Sequence, residues 1–257
     1  MTRQAYPPHV EYGEYLDQIE HQASALRAAA VAAGPDVPVP PCPEWTVHRL
    51  VRHIAKVHNW VGKALVTDPS APEPHPDRPP ESWPDLLSWW DDQVGALLGA
   101  LRARDPAEPA WVFAVAAEPA AAFWARRQAH ETAVHRLDAE HAAARSDRAD
   151  SVPALVFDPR FAADGIDELL VLMTPRRYRR ETVTVEGTVL FHAADAGRAW
   201  LVTLRPGQPP LIGPATEVDS DASVVGTADA VYRAAWHRPS HAVVSGDRTL
   251  VDALRTP

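Results

Sequence analysis

Prolines divide the first half of the chain into stretches that can be helical and stretches that cannot. Tyr12, Leu16, Ile19, Ala23, Leu26 and Ala30 recur at spacings of three and four, and Gly34-Pro35 ends that run. The next segment, PDVPVPPCPEW, is extended, because each proline lacks an N–H and biases its predecessor away from helix. Thr46 then supplies an N-cap for a second helix with Leu50, Ile54, Val57 and Val61 on one face. A proline-rich loop occupies residues 68–84. A third helix carries Leu86, Trp90, Val94, Leu97 and Leu101 and stops near Asp105-Pro106. The fourth runs from about Ala120 to Arg145. Four helices of this kind, the middle ones joined by long loops, predict a bundle.

Composition changes after SDRADSVP, residues 146–153. ETVTVEGTVLFHA and AWLVTLRPG are β-branched, alternating and bounded by glycine, which reads as antiparallel strands. Thr227–Trp236 and Ile166–Met173 read as helices. The expectation is an α+β protein of two domains: a helical bundle over 1–150 and a smaller α+β domain over 151–257.

Bulk properties exclude several classes. A net charge of −9 offers no basic surplus for nucleic-acid phosphate. No apolar run of about 18 residues is present to span a membrane. The opening MTRQAYPPHVEYGEYLDQ lacks the apolar core of a signal peptide, so the expected location is the cytoplasm. Cys42 is the single cysteine, which removes an internal disulfide framework and any multi-cysteine metal site. Lys56 and Lys63 are the only lysines in an arginine-rich chain, a coding bias that hints at an actinobacterial source.

Chemistry concentrates in WARRQAHETAVHRLDAE, residues 124–140. His130 and His135 are five apart, about 140° around a helix, so the spacing is not that of HExxH zinc proteases. Glu131 and His135 are four apart and share a face, with Asp138 placed to support a ligand. In the second helix, LVRHIAKVH puts His53 beside the apolar stripe, where it can point into the bundle, and His58 on the other flank. Two histidines and a glutamate without a fourth protein ligand have the composition of an open catalytic zinc site. The competing reading is a solvated helix face with incidental charges and a hydrogen-bonded core histidine.

The stretch PCPEWTVHRLVRHIAKVHNWV, residues 41–61, followed by RRQAHETAVHRLDAE, residues 126–140, resembles the mycothiol-dependent maleylpyruvate isomerase family. That resemblance implies a DinB-like four-helix bundle binding Zn2+ or another divalent metal, with the family's metal triad on His53, Glu131 and His135. AVYRAAWHRPSHAVVSGDRTLVDAL, residues 230–254, is similar to the end of the family's small α+β domain. There an aromatic-Gly-Arg precedes a Gly-Asp; here Trp236-His237-Arg238 has histidine for glycine. The resemblance implies a substrate-facing, catalytic role for Arg238. It also implies mycothiol as the thiol cosubstrate and a small-molecule electrophile as substrate. A metal-bound thiolate would add to an activated cis double bond, the resulting single bond would rotate, and elimination would give the trans isomer. A mycothiol S-transferase, or a non-catalytic metal-binding protein, are the alternatives. The zinc-binding His-x3-Cys-x2-Cys pattern of anti-sigma factors is absent.

Three further features have two readings each. Cys42 is either a thiolate activated at a helix N-terminus or a packed residue in the turn leading into the second helix. The cluster Arg176, Arg177, Arg179 and Arg180 is either a solvated face or an attractor for an anionic thiol or substrate. The tryptophans, among them Trp45, Trp60, Trp90 and Trp124, are core anchors or pocket walls.

Overall fold

The computed structural model describes residues 10–113, 120–153, 156–215 and 219–254. Residues 1–9, where the stretch examined for a signal peptide begins, lie outside them. Residues Glu11–Asp147 and Arg148–Pro257 group into two compact units.

The first unit is helical. Helix α1 spans Tyr12–Ala33; the Glu14 carboxylate accepts from the Glu11 N–H, and Gly34, at φ 89°, caps the other end. The proline segment folds into a short antiparallel pair, β1 (Pro38–Val39) with β2 (Cys42–Thr46). Helix α2 (Val47–Leu65) starts where Thr46 Oγ1 accepts from the Arg49 N–H. Helix α3 (Trp83–Arg102) is capped by Ser82, with Pro84 in the first turn where its missing N–H costs nothing. Helix α4 spans Ala120–Ala144. It packs along α1 and α2, and α2 packs along α3. Leu26, Val39, Leu50, Ile54, Leu86 and Trp90 form the core beside it. Trp60, Trp111, Phe113 and Phe123 crowd around Trp124, whose indole N–H donates to the Trp111 carbonyl at 2.7 Å.

Helix α4 has almost no solvated face. Arg127, Gln128, His130, Thr132, Asp138 and His141 are all buried along it. The reading of residues 124–140 as an exposed face with incidental charges is therefore wrong for most of its length. Polar groups so placed persist only when partnered.

The second unit carries a five-stranded sheet in the order β5-β4-β3-β6-β7: β3 Gly187–Ala193, β4 Arg198–Leu204, β5 Leu211–Pro214, β6 Ala222–Gly226 and β7 Val243–Gly246. β3 and β4 pair antiparallel as read from sequence, while β3 and β6 run parallel. The first strand is shorter than its β-branched run, since Glu181–Glu186 lies outside it. Gly187 marks the start: at φ 152° a Cβ would come within 2.6 Å of Leu250. Helix α5 (Pro159–Glu168) begins earlier than the apolar spacing indicates, because Asp158 caps it, and it continues into a π-helical stretch, Leu169–Met173. A short helix α6 (Thr174–Arg177) follows. Helix α7 (Ala228–Ala235), capped by Thr227, packs on β3, β6 and α5 through Tyr232 against Phe157 and Phe161. Helix α8 (Arg248–Ala253) ends the described chain.

Among the described residues, no helix is long and apolar enough to cross a membrane.

Candidate metal centre

His53 extends from the middle of α2, and Glu131 and His135 stand one turn apart on α4. Their ligand atoms all lie within 4.8 Å of one another. Glu131 Oε1 is the meeting point, 3.1 Å from His53 Nε2 and 3.4 Å from His135 Nε2. The two imidazoles approach edge to face with centroids 4.9 Å apart. The His53 side chain is 36% exposed, so the cluster opens to solvent on the α2 side.

Two of the three side chains, His135 and Glu131, are held from behind. His135 Nδ1 donates to Asp138 Oδ2 at 2.9 Å, which turns Nε2 toward Glu131. Asp138 is fully buried, so its carboxylate is locked in place. Burial alone would lower the basicity of His135; hydrogen bonds to Asp138 and Glu131 instead push its pKa up to about 9. Burial alone would raise the Glu131 carboxyl, but the Arg127 guanidinium holds it well below the usual carboxylate range, helped by hydrogen bonds with His135 and His53. Two imidazole nitrogens and one anionic oxygen thus converge, with one imidazole oriented by a buried carboxylate. That donor chemistry fits a divalent ion of the zinc class and leaves coordination positions for an exogenous ligand.

His58 takes no part, as its position on the flank of α2 indicates. Its Nδ1 accepts from the Trp90 indole N–H at 3.2 Å, and its Nε2 lies 3.1 Å from Thr132 Oγ1. His130 is buried and meets Tyr15 edge-on rather than joining the ligands. Cys42 is half-buried, with Sγ 3.8 Å from Asp138 Oδ2, so its thiol faces the carboxylate behind His135.

Two more side chains belong to the site: Trp45, named from sequence among the tryptophans that are core anchors or pocket walls, and Arg127, which the sequence did not single out. Trp45, on β2, lies against both imidazoles, with centroids 5.0 Å from His53 and 5.9 Å from His135. The Arg49 guanidinium sits 5.4 Å from the Trp45 ring centroid. Arg127 is the second, and its spacing of four residues before Glu131 was the available signal.

In the second unit, Arg238 follows α7 through a left-handed residue. His237 has φ 56°, its N–H donates to the Ala234 carbonyl, and the Arg238 N–H donates to the Arg233 carbonyl at 2.8 Å. This is a Schellman C-cap, where glycine is the unstrained choice; histidine takes the same conformation at a cost of about 1 kcal/mol. Arg238 Nη1 donates to the Trp236 carbonyl at 2.7 Å. In the PRRYRR cluster, Arg177 is tied to Glu181 and to the Ala253 carbonyl, which makes it a latch for α8.

A helical unit with an open His/Glu/His cluster and a small α+β unit define a protein of two-part design. Family models bear directly on both parts: residues 16–140 match the mycothiol maleylpyruvate isomerase N-terminal domain, and residues 160–253 match the C-terminal domain of the same family. The chain belongs to the mycothiol-dependent maleylpyruvate isomerase family. Two solved structures share its fold: the mycothiol-dependent maleylpyruvate isomerase, at TM-score 0.60 and 15% identity, and a histidine-to-alanine variant of it, at TM-score 0.61 and 13% identity. Each alignment covers 92% of this chain and 93% of the other. No characterised protein sequence matches the chain at a significant level.

Proposed function

We propose that this chain is a metal- and mycothiol-dependent enzyme that adds a thiolate to an electrophilic double bond, as in the cis–trans isomerisation of maleylpyruvate-like compounds. The observation that carries this reading is the convergence of His53, Glu131 and His135 on one point, with Asp138 fixing the His135 ring. Family membership supplies the thiol and the class of electrophile. His53 and His135 would hold the ion through Nε2, and Glu131 through Oε1. When bound, the ion supplies Lewis acidity toward a thiol sulfur, which is otherwise mostly protonated near neutral pH.

The chain's own groups then have separate tasks. Glu131 and the two imidazoles hold the reacting region at a fixed place. Trp45 covers the imidazole rings on one side and limits the approach of water. Sulfur adds to one carbon of the cis double bond, the single bond rotates, and sulfur leaves as the double bond re-forms. The thiol is regenerated, so no oxidant or reductant is consumed.

The direct test is to measure metal content and then assay maleylpyruvate with and without mycothiol. About one zinc per chain and thiol-dependent formation of the trans isomer are the expected results. Cys42→Ser retains most of this activity, because the added thiol is the nucleophile. Full turnover without thiol, or a folded Cys42→Ser protein that is inactive, would transfer the nucleophile's role to Cys42. A stable thioether product in place of the trans isomer would assign a transferase.

Arg238 is proposed to hold a substrate carboxylate, a task suited to its planar pair of N–H donors. Lysine keeps the charge and loses the fork. Arg238→Lys should therefore retain metal and fold and lose roughly tenfold or more in kcat/KM, about 1.4 kcal/mol of transition-state stabilisation. An unchanged kcat/KM across several carboxylate substrates would remove Arg238 from the mechanism.

A further inference from the structure

Arg49 stands in the first turn of α2, one helical turn before His53 and on the same face. Its backbone N–H donates to Thr46 Oγ1, and its Nη1 donates to the Glu44 carbonyl at 3.2 Å. The guanidinium lies 5.4 Å from the centroid of the Trp45 ring. Trp45 in turn lies against the His53 and His135 rings, so this cation is one ring removed from the cluster. Arg49 is exposed, on the α2 side where the cluster opens to solvent.

The surroundings set Arg49 apart. Arg27, Arg52, Arg78, Arg102 and Arg136 of the same unit each pair with a carboxylate. Among the described residues, Arg49 has no such partner, and its Nε and Nη2 have no protein acceptor. Those two donors form one edge of the guanidinium, the edge that Arg27 presents to the two oxygens of Asp91. Helix stability does not explain the placement, since a cation in a first turn opposes the helix dipole and α2 has no acid there. In α1, α3 and α7 that turn carries Glu14, Asp85 and Asp229. We infer that Arg49 is a specificity-determining residue: its Nε and Nη2 edge takes a carboxylate of the electrophile whose double bond meets the cluster. The site then prefers electrophiles bearing a carboxylate to their uncharged esters. This rests on the metal-site reading above, and it places a carboxylate anchor in the same unit as the cluster, separate from Arg238.

The test compares the zinc-loaded parent with Arg49→Gln and Arg49→Lys. Calorimetry measures the affinity for maleate without thiol and for mycothiol without electrophile. Turnover with mycothiol then gives the ratio of kcat/KM for maleylpyruvate to that for dimethyl maleate. Arg49→Gln should bind maleate about three- to tenfold more weakly and lower that ratio by a similar factor. Arg49→Lys, which keeps the charge and loses the fork, should fall between the two. Added salt should weaken maleate binding more in the parent than in Arg49→Gln. Zinc content and thermal stability should match the parent, because the side chain is exposed. Unchanged maleate affinity in Arg49→Gln overturns the inference. Equal losses on the acid and the ester also overturn it, since Arg49 would then act only by packing on Trp45. A fall in mycothiol affinity alone overturns the assignment to the electrophile and moves the recognised group to the thiol. A parent protein that binds no zinc overturns the metal-site reading itself, and the role of Arg49 with it.

Discussion

His135→Ala should empty the centre: zinc content falls from about one per chain to a small fraction of that, and turnover falls at least about a thousandfold, roughly 4 kcal/mol. Removing one of three protein ligands from an open site leaves two, too few to hold the ion against water and chelators. The fold should survive. His135 lies at the edge of the core, and the main structural cost is Asp138, whose buried carboxylate loses the Nδ1 donor at 2.9 Å. Losing one hydrogen bond to a charged group costs about 1.5–3 kcal/mol, which a domain of this size tolerates. Asp138→Asn provides a graded comparison. It leaves all three ligands in place and disturbs only the orientation of one, so metal affinity should fall about 10–100-fold rather than vanish. Elemental analysis after dialysis against a mild chelator, with thermal unfolding as the control for fold, separates these outcomes. A His135→Ala protein that keeps its zinc would show that the ion, if present, sits elsewhere.

Much of this centre was legible because helical spacing is a strong constraint. Glu131 and His135, four residues apart, must share a face, and a carboxylate beside an imidazole on one face is uncommon enough to draw attention. The N-cap Thr46 and the terminator Gly34 were equally plain, since each performs a local task that few residue types can perform. Trp45 was named as a core anchor or a pocket wall, and the choice between the two was not readable for the opposite reason. It lies on a short strand pair formed by the proline segment, and nothing local to PDVPVPPCPEW says which side of that pair meets the histidines. Arg127 escaped because α4 is buried almost all round, so its sequence has no polar face from which to tell a buried cation from a solvated one. In the second unit, β3 and β4 were readable as a local hairpin. The parallel pairing of β3 with β6 depends on contacts across more than thirty residues, which periodicity does not encode. The π-helical stretch Leu169–Met173 was likewise invisible, because a single extra residue in a turn leaves the apolar pattern nearly unchanged.

Acid should destabilise this protein through His58. The ring is fully buried and neutral: Trp90 offers only an N–H, so Nδ1 must accept, which leaves the proton on Nε2 to be donated to Thr132 Oγ1. Thr132 in turn donates to the Gln128 carbonyl at 2.7 Å, so every partner's role is fixed. A second ring proton would point an N–H at an N–H. Burial is the main reason the His58 pKa is pushed down to about 3; nearby Glu131 works the other way, and His53 and His135 add to the lowering. The sign follows from where the proton binds. Between pH 6.5 and about 3 the unfolded chain protonates this histidine and the native chain does not. Its contribution is therefore fully present above pH 6.5 and is lost as pH falls, by about 1.4 kcal/mol per pH unit for one such site. Urea unfolding at pH 7, 5.5 and 4.5 measures the slope, and His58→Gln provides the reference, since every other ionisable group is common to both proteins. At pH 7 the variant should be less stable by about 1–3 kcal/mol, from lost hydrogen bonds and imperfect packing. By pH 4.5 the gap should have closed or reversed, because the variant escapes a loss of about 2–3 kcal/mol that the parent suffers. Parallel slopes for the two proteins would mean that His58 takes up its proton in the native state, and that the Trp90–His58–Thr132 chain rearranges to allow it.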